Sequence, residues 1–199
     1  MPFRTSVSWR GALLAAALLA LPFTAALAHA APAPTSVSAA PAAGSFVFDT
    51  TATTVLVVRH AEKNPHPAGG DAGLNTKGML RAKELARVTR DAGIAAVYAS
   101  QYGRARLTAE PVAAARADSV RTYDANRNDL LAARIRAQHA GSTVLVVGHS
   151  DSVPELIEAL TGERLLAGES VEYDRLYVVT LGSTGGHRLL RLRYGSSVE

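Results

Sequence analysis

From Thr53 onward, short runs of apolar and β-branched residues alternate with stretches of helical periodicity. Thr54-Val55-Leu56-Val57-Val58 and Thr143-Val144-Leu145-Val146-Val147 are continuous apolar runs. That pattern belongs to strands buried on both faces of a parallel sheet. Ile94 to Ala99 and the shorter Ser119 to Tyr123 predict two more strands. Between them lie four helical stretches. Thr76 is placed to cap the first, in which Met79, Leu80, Leu85, Ala86 and Val88 share a face and which Gly93 ends. Gly103 to Ala117 predicts the second, kinked or broken at Pro111. Asn126 or Asn128 opens the third, which runs to His139 and stops at Gly141; Val153 to Leu160 forms the fourth, ended by Gly162. Arg175 to Leu181 and His187 to Tyr194 predict a hairpin about Ser183-Thr184-Gly185-Gly186. The expected class is α/β: three layers, a mostly parallel sheet with helices on both faces, and a C-terminal antiparallel hairpin at one edge.

The chain before Thr53 has a different character. Arg4 and Arg10 precede an almost unbroken apolar run from Gly11 to Leu27, and Ala28-His29-Ala30 is a small-x-small sequence. These are the parts of an export signal cleaved near Ala30. The run has about the minimum length for an uncleaved membrane anchor; Pro22 and the cleavage-like site favour removal. Residues 31–50 are rich in Ala, Pro, Ser and Thr and predict a flexible linker. The expected organisation is a signal at 1–30, the linker at 31–50 and one folded domain at 51–199, in an exported, periplasmic or secreted protein that meets a membrane only during export.

Charge and composition then narrow the chemistry. The formal net charge is +4, from 21 basic and 17 acidic residues. Loss of Arg4 and Arg10 with the signal leaves 19 against 17, or about +2, too mild and mixed for a nucleic-acid binder. The chain has no cysteine, so thiol nucleophiles, disulfides and Cys-ligated metals are excluded. His66, His139 and His187 show no metal-ligand spacing and read as surface residues. No cofactor or metal is called for. Gly-His-Ser-Asp-Ser at 148–152 lacks the Gly-x-Ser-x-Gly elbow of serine hydrolases. Arg188, Arg191 and Arg193 read as a solvated edge.

Ligands of such sheets bind at the carboxyl ends of the strands. Both long apolar strands run into a histidine there: Arg59-His60 after the first, Gly148-His149 after the fourth. Ser100 and Arg104 follow the second strand, and Asp124 follows the third. Two arginine forks match phosphate oxygens bidentately. A neutral imidazole can accept a phosphoryl group covalently. Fixed cations can stabilise the transferring group without a metal ion. The leaving oxygen still needs a proton, so a carboxylic acid should stand near.

Three segments carry a resemblance. Val57-Val58-Arg59-His60-Ala61-Glu62-Lys63 resembles the Arg-His-Gly or Arg-His-Ala signature of the histidine phosphatase (phosphoglycerate-mutase-like) superfamily. Ser100 to Ala109 resembles its Ser-x-x-x-Arg-x-x-x-Thr-Ala motif, and Val147-Gly148-His149-Ser150 its second-histidine motif. The resemblance implies a hydrolase in which His60 is phosphorylated, Arg59 and Arg104 bind phosphate, and His149 contacts phosphate and stabilises the transition state. It leaves the proton donor open among Asp124, Glu62 and Asp151. Asp124 stands about where mutase-like members carry an acid, Glu62 matches the acidic residue common after the nucleophile, and Asp151 follows His149 by two. The bland alternative for Asp124 is a turn residue. Arg106 lies about 200° round a helix from Arg104 and is left out of the pocket. Only 45 residues separate Arg104 from His149, room for one strand and one helix, so the site should be open. That favours a phosphatase acting on a small phosphorylated molecule or a phosphoprotein. A phosphotransferase or mutase, or a non-catalytic phosphate-binding module, is the alternative. Nothing in the sequence sets an oligomeric state.

Overall fold

The computed structural model describes residues 51–65, 71–166 and 168–196. The expected signal and linker, and His66, Pro67, Gly69 and Gly70, lie outside the described residues. The domain's elements in chain order are β1 (Thr53–Arg59), α1 (Thr76–Val88), β2 (Ile94–Ser100), α2 (Gly103–Ala114), β3 (Val120–Tyr123), α3 (Asn128–Gln138), β4 (Thr143–Gly148), α4 (Ser152–Thr161), β5 (Arg175–Leu181) and β6 (His187–Arg193). They form one six-stranded sheet in the order β3-β2-β4-β1-β5-β6. β1, β2, β3 and β4 run parallel, and β5 and β6 form the antiparallel edge hairpin.

Period-two alternation decides what each face of the sheet carries. Val55 and Val57 of β1 and Val144 and Val146 of β4 point to one side, where Leu131 and Ile135 of α3 and Leu156 and Leu160 of α4 cover them. Leu56, Val58, Leu145 and Val147 point to the other, under Leu85 of α1 and Ala105, Ala109 and Val112 of α2. Each fully buried Val or Leu of this kind contributes about 1.5–3 kcal/mol relative to exposure. β1 and β4 are therefore pinned in register, Val58 opposite Val147 and Arg59 opposite Gly148. This register brings Arg59-His60 level with His149.

Three local expectations are corrected. Asn75, not Thr76, caps α1; its side chain accepts from the Gly78 amide at 2.9 Å. The buried face of α1 is Gly78, Arg81, Ala82 and Leu85, while Met79, Leu80 and Val88 are exposed by 51%, 63% and 39%. The helix is turned this way because Arg81 reaches inward to Glu62. Gly78 lets the backbone follow, since a Cβ there would lie 2.2 Å from the Glu62 carbonyl oxygen. Pro111 does not break α2, which runs on to Ala114. No helix among the described residues is long and apolar enough to cross a membrane.

Candidate active site

Each parallel strand delivers its last residues to one rim of the sheet. α2 begins three residues after β2, and α4 four residues after β4. The N-termini of both helices thus sit at that rim, where free amides and the helix dipole favour an anion. Gly148 makes the tight exit from β4 possible. A Cβ on it would stand 2.8 Å from Ser152 Oγ and 3.1 Å from the Tyr123 hydroxyl.

A cavity of about 310 Å³ opens at this rim. Arg59, His60, Arg104 and His149, all anticipated, line it together. The imidazole rings of His60 and His149 are 5.1 Å apart, edge to face. The His60 amide donates to the Gly148 carbonyl at 2.9 Å, tying the two strand ends. Nδ1 of His60 lies 2.7 Å from the Ala61 carbonyl. A carbonyl only accepts, so Nδ1 carries the proton and Nε2 keeps its lone pair. Nε2 in turn accepts from Arg104 Nε at 3.2 Å. Burial pushes the His60 pKa down to about 3, against a small lift from the Ala61 hydrogen bond, and Arg59, His149 and Arg104 push the same way as burial. His149 is pushed down to about 4, by burial first and Arg104 next. Both rings are therefore neutral at pH 7 in the empty site.

Neighbours fix these groups. Ser100 Oγ lies 2.6 Å from His149 Nε2. Thr108 Oγ1 accepts from the Ala61 amide at 2.9 Å and donates to the Arg104 carbonyl at 2.8 Å. Ser100, Arg104 and Thr108, four residues apart in sequence, thus tie the second histidine, the nucleophile candidate and its turn to one segment. The Arg104 guanidinium lies 4.6 Å from the centre of the Tyr102 ring, and exposed Asp71 approaches it at 3.5 Å. Arg59 lies 4.1 Å from the centre of the Tyr173 ring. Burial lowers the Arg59 pKa from its ordinary value, with Tyr173 opposing and Arg104 adding to the effect.

The carboxylates separate. Glu62 is buried and does not line the cavity; Arg81 Nε and Nη2 donate to it at 2.8–3.1 Å. Burial would raise the Glu62 pKa, but the hydrogen bonds from Arg81 outweigh it and hold the group ionised. An acid in that state has no proton to give. Asp124 is exposed and outside the lining; its Oδ1 accepts from the Asn126 amide at 3.0 Å, the turn role. Asp151 does line the cavity and also caps α4, accepting from the Ser152 amide at 2.8 Å. Glu155, one turn along α4, lines it too and is held by Asn128 Nδ2 at 2.9 Å. Sequence reading missed Glu155, although its spacing from Asp151 is the i, i+4 signal. Tyr102, Tyr173 and Asp71 were missed as well, and Tyr173 carries no local signal. Arg106 is exposed and does not line the cavity.

A larger depression of about 690 Å³ lies between α1 and the C-terminal residues. It holds no histidine, and its Arg81, Arg87 and Arg193 are paired with Glu62, Glu84 and Asp174. The chemistry belongs to the smaller cavity. His139 is not a plain surface residue: it is half-buried, with Nε2 2.9 Å from the Tyr98 hydroxyl. No cluster of three or more His, Asp or Glu suited to a metal occurs among the described residues.

Residues 55–128 match the profile of the histidine phosphatase superfamily (branch 1). No curated protein sequence matches the chain. Among solved structures, the protein histidine phosphatase SixA in complex with tungstate is similar at 22% identity and TM-score 0.59, over 70% of this chain and 96% of that one. A phosphohistidine phosphatase SixA candidate from Agrobacterium tumefaciens is similar at 23% identity and TM-score 0.56, over 74% and 99%. Mycobacterial glucosyl-3-phosphoglycerate phosphatase follows at 13% and 0.58, over 72% and 100%. At these identities the structures establish the fold. With the superfamily profile spanning β1 to the start of α3, and the same fold over the rest of the domain, the chain belongs to the histidine phosphatase superfamily.

Proposed function

We propose that this protein is an exported, metal-independent phosphatase that hydrolyses a phosphomonoester or related phosphoryl substrate through a phosphohistidine on His60. The observation that carries this reading is the unprotonated Nε2 of His60, in the same cavity as Arg59, Arg104 and His149. Nε2 attacks phosphorus, and the bond to the leaving oxygen breaks with its electron pair on that oxygen. Arg59 and Arg104 balance the charge on the equatorial oxygens. Ser100 occupies Nε2 of His149, leaving Nδ1 to contact the phosphoryl group. Water then cleaves the P–N bond, releasing inorganic phosphate and restoring neutral His60. Asp151 and Glu155 are the carboxyl groups placed to protonate the leaving oxygen. An activated leaving group would need them less.

β3 and α3 fill the interval between Arg104 and His149, so no cap covers the cavity. An open cavity of this size suits a phosphoryl group presented by a phosphoprotein or a small molecule. SixA, with which the fold is shared, is a protein histidine phosphatase, which favours the phosphoprotein. The test is hydrolysis of an aryl phosphate in EDTA by wild type and His60→Ala. A loss on the order of a thousandfold or more is expected, as when a covalent nucleophile is removed. Retained activity in the variant would overturn the mechanism. Phosphate binding without turnover of any substrate would favour the non-catalytic alternative.

A further inference from the structure

We propose that Tyr173 is the positioning residue for Arg59, and that Arg191 and Arg193 of β6 act on the site by holding the loop that carries Tyr173. The proposal rests on the reading of Arg59 as a phosphate-binding residue. An arginine at a strand end has a long, rotamer-rich side chain, and ordering it costs conformational entropy. A carboxylate partner would order it but would also cancel the charge that a phosphoryl group needs. The loop between α4 and β5 orders it by other means. Nη1 donates to the Val171 carbonyl, Nη2 donates to the Tyr173 hydroxyl at 3.3 Å, and the guanidinium lies over the Tyr173 ring. A ring face attracts the cation without neutralising it. The same ring lies 5.9 Å from that of His60.

Arg59 Nε is buried with no hydrogen-bond partner. A buried donor left unpaired is costly, and a phosphate oxygen in the cavity is the acceptor that would relieve it. Tyr102 under Arg104 repeats the device on the opposite wall.

The loop itself is tied down on both sides of Tyr173. Ser170 Oγ donates to the Ser150 carbonyl at 2.6 Å, and the Tyr177 hydroxyl to the Glu169 carbonyl at 2.8 Å. Arg191 pairs with Glu163 and Glu169. Arg193 pairs with Glu172 and with buried Asp174. These arginines are therefore not simply a solvated edge. Each joins two loop acids to β6, and the acids alternate with Val171 and Tyr173 along the loop. β6 contributes nothing to the cavity lining, so it acts through this loop alone.

A double-mutant cycle in the full-length chain tests the assignment, read by inorganic phosphate binding in calorimetry and by kcat and KM on an aryl phosphate. Tyr173→Ala should weaken phosphate binding about tenfold and raise KM more than it lowers kcat. Tyr173→Phe, which keeps the ring, should recover most of that loss. In an Arg59→Ala background, Tyr173→Ala should change binding by less than twofold, because its partner is gone. Arg193→Gln should shift binding in the same direction as Tyr173→Ala and add nothing to it. Losses that multiply in the double variant, or wild-type binding in Tyr173→Ala, would overturn the proposal and leave the phosphatase reading intact. A wild-type chain that binds phosphate and hydrolyses nothing would end the phosphatase reading while the cycle still decides this one.

Discussion

Two sets of arginines in this domain do opposite work. Arg81 is buried inside α1 and meets a carboxylate, Glu62, on three hydrogen bonds. Its charge is spent within the fold. Arg59 and Arg104, twenty-odd residues to either side in sequence, lie at the cavity and are seated on tyrosine rings. The one carboxylate near them, Asp71, is exposed and 3.5 Å from Arg104, so solvent screens it. The difference teaches what makes an arginine available to a ligand. It needs an orienting partner that is polarisable or hydrogen-bonding but not anionic.

Exchanging the roles should break the contrast most visibly at the site. Arg104→Ala should lower kcat/KM by about a hundredfold or more, the scale for losing one group that stabilises transition-state charge. Its melting temperature should stay near wild type, because only an exposed ion pair is lost. A large fall in melting temperature with little kinetic change would place Arg104 with Arg81 instead. The reverse holds for Glu62→Gln. Leaving Arg81 buried without its carboxylate should cost about 3–5 kcal/mol, on the order of 10 °C in a domain of this size. The folded fraction should keep its kcat/KM within about threefold. Loss of activity at unchanged stability would return Glu62 to the list of proton donors.

The smallest expected effect is in the pH profile. Both histidines have pKa values below the ordinary 6.5, His60 at about 3 and His149 at about 4. Their neutral forms are thus the ones the empty fold contains. With substrate ionisation divided out, kcat/KM should hold its plateau down to about pH 5 and fall as pH drops through 4. A limb near 6.5 would mean that burial does not govern these rings. Stability has the same sign. Unfolded histidines take up protons below about 6.5 while the folded ones do not, so stability should decline as pH falls from 6.5 toward 4. Denaturant midpoints across that range would check it.

Much of the architecture was legible before any coordinates. The two Val-rich runs could be nothing but interior strands, because every position in them is apolar. Glycines and prolines between the elements mark most of the ends to within a few residues. α1 shows where such reading fails: its apolar residues suggested one face, and an ion pair rotated it to another. Met79 and Leu80 look like core residues by type, but burying Arg81 against Glu62 sets the helix's angle.

The histidines and arginines were legible for a different reason. His60 and His149 directly follow paired apolar strands, so local order along the chain also fixes their place in space. Ser100, Arg104 and Thr108 are one segment at a spacing of four. The carboxylates were not legible in this way. Glu62, Asp124 and Asp151 all stand close in sequence to site residues, and the folded chain sends only Asp151 to the cavity while adding Glu155. Nor could Tyr173 be assigned, since its partner Arg59 is 114 residues away. By itself the sequence determined the strands, their order of chemistry and the cationic set at their ends, because those follow from periodicity and from the direction of parallel strands. Only the tertiary structure decided which charges are spent inside the fold and which remain for a ligand, because that depends on contacts between segments that no local pattern records.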